Sequence, residues 1–355
     1  MTSFKHKRLL GLAAILFLAA ASQDGFAAGN PSQVAAQQQQ TAARTRRAAA
    51  PKKAQLGRPD KLMPVKQLVK KLFGDVKSDM EASDRIYIPG NPDQKYLGTF
   101  YEMESKHLVR TSVVPQLEDA MAKNDLERVF GPTLGKRLRA QGFYLQKQVK
   151  EAGTVRYSDP YLDTPNMLAT RQGISIRHRQ IGSQIGTDLG MFEVKLYTKE
   201  SANSPVQGRL EIRFRTDSKY SAARMLARDP ELERYNPLTY LEKFDPRFKG
   251  QPIKPAVILD NQRLEYQLKN AAGEPQYLFT LDRVNGQRAV PVPGKVNVSP
   301  GHIEMEIEKM VEDESPNAKR ALHRLTKLVE KQFGLQRSPL NKPGTVAQSM
   351  GMLDE

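Results

Sequence analysis

Between positions 174 and 310 the chain alternates apolar and charged residues. Apolar side chains recur at every second position in five segments: Ile174 and Ile176; Phe192, Val194 and Leu196; Leu210, Ile212 and Phe214; Leu264, Tyr266 and Leu268; Ile303, Met305 and Ile307. A period of two predicts β-strands with one buried face. The positions in between carry charge: Arg177 and Arg179; Glu193 and Lys195; Arg209, Glu211, Arg213 and Arg215; Arg263 and Glu265; Glu304, Glu306 and Glu308. Further strands are expected over 143–149, 153–161 and 277–284, and one opens the series at YEMESKHLVR, where Glu102, Glu104 and Lys106 share a face opposite Met103, Ser105 and His107. Three- and four-residue spacing predicts helices over 61–76, 113–131, 133–142 and 316–333. More helix interrupts the strands within 217–249, and a turn with a short helix is expected over 163–173.

An antiparallel sheet wet on one face gives the same alternation, but such a face usually mixes Thr, Ser, Gln and Lys. Here arginines and glutamates cluster strand by strand. Strands that closed into a barrel, with helices outside, would turn the charged positions inward around a hydrated cavity. Carboxylates two residues apart repel, and a hard divalent cation with oxygen ligands relieves that repulsion. Arginines and lysines on the middle strands suit a polyanion, Arg by forked bonds to phosphate oxygens and Lys as a point charge. Acids at one place and bases at another point to a chain of phosphates carrying Mg2+ or Mn2+.

The chain has 355 residues, 39% of them hydrophobic, and a mean hydropathy of −0.58. That is core enough for one large domain or two ordinary ones. It has no cysteine, which excludes disulfides, thiol catalysis, thiolate metal sites and a lipidated cysteine. The net charge is +16, but the first 80 residues hold 14 Lys and Arg against 4 Asp and Glu, so most of the basicity lies there. Lys5, Lys7 and Arg8, the apolar run Leu9 to Ala21, and Gly25 and Ala27 at cleavage-site spacing predict a signal peptide over 1–27 and a periplasmic or secreted protein. Residues 28–80 read as a basic Ala/Gln/Pro-rich linker with a short amphipathic helix. After the leader no stretch is apolar and long enough to span a bilayer. No glycine-rich phosphate loop is present, and no basic-aromatic stripe suggests nucleic acid. His107, His178, His302 and His323 are expected to be packed or surface histidines. Oligomeric state is left open.

On these residues the chain resembles the triphosphate tunnel metalloenzymes, the superfamily that includes the CYTH proteins. The family's first-strand Glu-x-Glu-x-Lys is matched by Glu102, Glu104 and Lys106. Its tyrosine-aspartate-threonine segment leading to an Arg-x-Arg strand is matched by YLDTPNMLATRQGISIRHRQ, with Arg177 and Arg179. FEVKL supplies Lys195, GRLEIRF supplies Arg209 and Glu211, FTLDRV supplies Asp282, and IEMEIE supplies Glu304 and Glu306. The resemblance implies an α+β, mainly β fold: an eight-stranded antiparallel closed barrel over 81–340 with helices outside, one of them C-terminal, followed by a tail, 341–355. It implies Mg2+ or Mn2+ held by Glu102, Glu104, Asp282, Glu304 and Glu306, and phosphates held by Lys106, Arg177, Arg179, Lys195, Arg209, Arg213 and Arg263. Glu211, orienting the attacking water, and Lys106 would be catalytic. Arg213 stands where members often have an acid, the last strand has a third glutamate, Glu308, so which two of Glu304, Glu306 and Glu308 hold metal is left open, and the 217–249 insertion is long enough to cap the tunnel. The implied activity is hydrolysis of inorganic triphosphate or polyphosphate. A polyphosphate polymerase and a polyanion-binding module without turnover are the alternatives.

Overall fold

The alternating segments do become strands, and their ladder closes on itself. A computed structural model describes residues 62–74, 97–109, 114–122, 135–147, 155–180, 190–198, 206–310, 316–338 and 340–354. The expected signal peptide and most of the linker lie outside the described residues. The strands are β1 (Leu97–Leu108), β2 (Tyr144–Lys147), β3 (Val155–Asp163), β4 (Ser175–Gln180), β5 (Gly190–Tyr197), β6 (Gln207–Thr216), β7 (Lys254–Lys269), β8 (Pro275–Arg288), β9 (His302–Lys309) and β10 (Gln336–Arg337). Hydrogen bonding runs β1-β6-β5-β4-β3-β7-β8-β9, and β9 pairs back onto β1. The result is a closed eight-stranded antiparallel barrel with no free edge in that ring. β2 adds to β7 and β10 to β1.

The hydrophobic core lies outside the barrel wall. Ile176, Phe192, Val194, Leu210, Ile212, Leu264, Tyr266, Met305 and Ile307 are all buried in one cluster with outer helices. The helices that cover them include α1 (Val65–Phe73), α2 (Val114–Ala122), α5 (Pro237–Phe244) and α6 (Pro316–Phe333). Leu322, Leu325 and Val329 of α6 enter this core, and the same helix holds the outward face of β1 through Thr326 Oγ1 to Ser105 Oγ, 3.1 Å, and His107 Nε2 to Glu330 Oε1, 3.1 Å. Because the apolar parity faces out, the charged parity has nowhere to go but in.

The insertion expected to cap the tunnel does not do so. Its helices, α4 (Ala222–Leu226) and α5, lie on the outer wall, where α5 meets β5, β6 and α1. The reason is its own apolar content: Leu232, Leu238, Leu241 and Phe248 join the outer core, and Phe73 of α1 packs on Tyr240 at 4.5 Å between ring centroids.

Between β3 and β4, Asp163 ties down the short helix α3 (Leu168–Arg171). Its carboxylate accepts the backbone N–H of Thr164 at 2.7 Å, Ala169 at 2.8 Å and Thr170 at 2.8 Å. This buried aspartate thus satisfies backbone donors of the first helical turn from outside the helix. Gly173 follows with φ +71, and a Cβ there would lie 2.3 Å from the Tyr197 ring.

Residues 341–355, set apart from the sequence as a tail, carry the helix α7 (Lys342–Ser349). Asn341 caps it by accepting the Gly344 N–H at 2.9 Å, with Pro343 in its first turn. Val346, Ala347 and Met350 pack with Val257, Leu259 and Val284 in a second, smaller core. Those strand positions lie where β7 begins and β8 ends, so α7 covers that end of the barrel.

Candidate active site

Closing the barrel brings distant strands side by side. Glu102 lies across from Arg209 of β6, while Glu104 has Glu308 of β9 across from it and Lys106 has Glu306. Arg177 sits opposite Glu193, Lys195 opposite Glu211, and Arg263 opposite Asp282. Among the described residues, eight cations inside the wall pair with eight carboxylates.

At the covered end, the Lys342 ammonium sits among three carboxylates: Glu306 Oε1 at 2.5 Å, Asp282 Oδ2 at 2.9 Å and Glu304 Oε1 at 3.3 Å. Arg263 grips Asp282 at 2.6 Å and 2.7 Å and reaches Glu306 at 2.8 Å. Lys106 bridges Glu306 at 2.6 Å and Glu104 at 3.1 Å, and Arg209 meets the other oxygen of Glu104 at 3.0 Å. In the middle Lys195 holds Glu102 at 3.0 Å and also Glu211, which Arg213 holds too.

Toward the other end the bases become more open to solvent, from 3% for the Arg209 side chain to 28% for Arg179 and 30% for Arg213. There Asp159 takes Arg179 at 2.5 Å, and Glu193 takes Arg177 at 2.8 Å and Arg213 at 2.9 Å. Arg179 also lies over the Tyr157 ring, 4.0 Å from its centroid. The space left between these groups is about 120 Å3, enough for about four waters.

Burial pushes the carboxyls of Glu102, Glu193, Glu211, Asp282, Glu304, Glu306 and Glu308 up, and the neighbouring cations decide which of these stay ionised. Against burial, Lys195, a hydrogen bond from the Glu211 carboxyl and Lys106 hold Glu102 well below the usual range. Lys106, Lys342 and Arg263 do the same for Glu306. Burial and then the Glu102 charge raise Glu211 to about 8, whereas burial with the Glu306 charge raises Glu304 to about 7. Burial, Glu102 and Glu211 raise Glu308 well above its ordinary value.

His302, at the start of β9, is pushed down to about 4 by burial and by Lys342. Its unfolded value is about 6.5, so the unfolded chain binds this proton more tightly. The stability it contributes is full above pH 6.5 and is lost as pH falls toward 4, by about 3 kcal/mol in all at 1.36 kcal/mol per unit. Urea unfolding of His302→Gln at pH 7 and pH 4.5 is expected to lack this part of the pH slope.

The residues expected from the sequence are brought together, in two groups. Glu102, Glu104, Lys106, Arg177, Arg179, Lys195, Arg209, Arg213, Arg263 and Glu306 all line the cavity. Glu211, Asp282 and Glu304 do not. Glu211, expected to orient the attacking water, is completely buried and pairs with Lys195 and Arg213. Asp282 and Glu304 lie against Arg263 and Lys342 beneath the lining.

The structure adds Lys342, Asp159, Tyr157, Asn261 and Glu308 to the lining, with Glu193 behind it. Parity alone marks Asp159 and Tyr157, which share a face with Tyr161 opposite Arg177. The Asn-Lys-Pro of a helix start was the signal for Lys342.

A divalent cation suits one of the two groups. The Glu308 carboxylate lines the cavity opposite Glu104 and pairs with no cation among the described residues, and buried Glu104 Oε1 lies 3.0 Å from Arg209 without the geometry of a hydrogen bond. Glu102, Glu104 and Glu308 thus offer an all-oxygen donor set to a hard cation. No three such side chains among the described residues already converge on one point, because Glu102 and Glu104 are turned toward Lys195, Lys106 and Arg209. In the second group Lys342 itself occupies the place a cation would take.

A closed barrel, apolar outside, with carboxylates and cations interleaved on its inner face, decides the architecture. This is a closed eight-stranded antiparallel tunnel. Similar solved structures include a putative adenylate cyclase from Bacillus halodurans, 15% identical, covering 68% of this chain and 95% of that one with a TM-score of 0.37. A putative adenylyl cyclase from Hippeastrum, described as having a dominant triphosphatase activity, is 14% identical over 70% of this chain and 95% of its own, TM-score 0.40. An RNA triphosphatase from S. pombe is 11% identical over 66% and 85%, TM-score 0.28. The chain matches no protein-family model and no curated protein.

Proposed function

We propose that this chain is a divalent-metal-dependent hydrolase of phosphoanhydride bonds, exported to the periplasm or secreted, and acting on inorganic triphosphate or short polyphosphate. The observation that carries this reading is the interior itself, where, among the described residues, eight cations and nine carboxyl groups converge in one closed cylinder. An entering phosphate chain takes over the forked bond that Arg179 now gives to Asp159 and the single bonds that Arg177 and Arg213 give to Glu193. Tyr157 keeps Arg179 aimed inward, and Arg263, Arg209 and Lys106 receive the deeper phosphoryl oxygens. Bound at Glu102, Glu104 and Glu308, Mg2+ or Mn2+ would neutralise developing charge and align water with the leaving phosphate. Export rests on the N-terminal leader pattern, and it disfavours nucleotide-consuming roles because nucleoside triphosphates are scarce outside the cytoplasm.

A polymerase must let a growing chain leave the site, and α7 with Lys342 covers one end. That favours hydrolysis of short chains over polymer synthesis. Purified protein given tripolyphosphate, longer polyphosphate or ATP, with Mg2+, Mn2+ or a chelator, tests all three readings. Metal-dependent phosphate release, fastest on tripolyphosphate, is the expected result. ATP consumption with accumulating polymer would establish the polymerase, and tight binding without release would establish a polyanion-binding module.

A further inference from the structure

The hairpin joining β8 to β9 exposes apolar side chains to solvent. In AVPVPGKVNVSP, Val290 is 71% exposed, Val292 36%, Val296 54% and Val298 63%. The loop holds one shape. Asn297 accepts the Val292 N–H at 2.8 Å and donates to the Val292 carbonyl at 3.1 Å, Arg288 Nε donates to the Val296 carbonyl at 3.0 Å, and Gln287 bridges Val298. Hydrogen bonds that fix a turn while leaving four valines wet suggest that this surface is built to be covered.

Two observations say by what. The valines expose on the order of a few hundred Å2, well below the roughly 800 Å2 per partner of a stable protein pair. Cations frame them: Lys295 is exposed within the loop, and Arg171 and Lys254 line a groove of about 680 Å3 that also includes Val290 and Met352. The acids on that side are Asp163, which is buried in the groove wall, and Asp354, exposed two residues beyond Met352. A small apolar tip with a basic collar matches the boundary of an anionic bilayer, where apolar groups sink to the acyl level and cations meet phosphates.

We infer that the β8–β9 hairpin docks this protein on an anionic phospholipid surface. The hairpin lies at the same barrel end as α7, since Val284 pairs with His302 there. Docking through it turns the covered end to the membrane and leaves the arginine-rimmed mouth facing solution. The groups involved lie outside the tunnel, so the inference holds whatever the tunnel's chemistry.

The test is co-sedimentation of the full chain with vesicles of phosphatidylcholine alone or with a third phosphatidylglycerol. Binding to the anionic vesicles is expected to fall at least tenfold in Val290→Ser/Val296→Ser/Val298→Ser and severalfold in Lys295→Glu. All the proteins carry the same N-terminal segment, so the difference reads the hairpin. Each substituted valine is already more than half exposed, so an unchanged unfolding midpoint is expected and confirms that the variant is folded. Equal sedimentation of wild type and valine variant overturns the inference. So does a concentration-dependent dimer, seen by analytical ultracentrifugation, that the valine variant abolishes.

Discussion

Glu104→Gln is expected to reduce metal-dependent turnover of tripolyphosphate by about a thousandfold, or roughly 4 kcal/mol of transition-state stabilisation at 1.36 kcal/mol per tenfold. Glu104 sits at the seam where β1 meets β9, with Glu308 across from it, and its two oxygens face Arg209 and Lys106. The amide keeps the shape of the side chain and removes its carboxylate, so the set formed by Glu102, Glu104 and Glu308 loses one of its three carboxyl groups. Lys106 keeps Glu306 as a partner, which limits the damage to folding. Turnover measured against Mn2+ concentration separates binding from chemistry: the variant is expected to need far more metal and to recover only part of its rate. Glu304→Gln serves as the comparison, because Glu304 lies under Lys342 and outside the cavity lining. Should Glu304→Gln prove the more damaging of the two, the metal belongs with Asp282, Glu304 and Glu306, and the assignment to Glu102, Glu104 and Glu308 fails.

Lys342→Met is expected to destabilise the protein by about 3–5 kcal/mol, because removing one partner of a buried ion pair leaves uncompensated charge behind. That is a large share of the roughly 5–15 kcal/mol that holds an ordinary domain together. Asp282 keeps Arg263, and Glu306 keeps Arg263 and Lys106. Glu304 keeps no cation that pairs with it among the described residues. Adding Glu304→Gln to Lys342→Met is therefore expected to restore much of the loss, which a mere packing defect would not allow. The sign of the pH effect follows from Glu304. Its carboxyl is raised to about 7 even beside Lys342, so it holds a proton at pH 5.5 and carries charge at pH 8. The variant should lose more stability at pH 8 than at pH 5.5, as urea midpoints at the two values would report.

Within the described residues the strands were legible because their period of two runs through residues that differ sharply in polarity. Phe192-Glu193-Val194-Lys195-Leu196 can be read only one way as a strand, and its two faces then follow from the pleat. Helix α6 coincides with the expected 316–333 for a like reason, an apolar stripe on an otherwise charged segment. The outer position of the 217–249 insertion was harder to read. Leu238 and Leu241 mark a buried face, but not which surface buries it.

The sequence by itself determined which side chains share a face, because alternation along a strand is local geometry. It thereby placed Glu102, Glu104 and Lys106 together, and Arg177 with Arg179. Only the tertiary structure decided which faces meet across the barrel, since pairing between β1 and β9 joins residues about 200 positions apart and nothing local encodes the register. That register put Glu308 opposite Glu104, while the pairing of β5 with β6 set Glu211 against Lys195 and the packing of α7 brought Lys342 against Asp282, Glu304 and Glu306. Charge at each position is written in the chain, but a charge's partner is a matter of distance, and distance is set by closure.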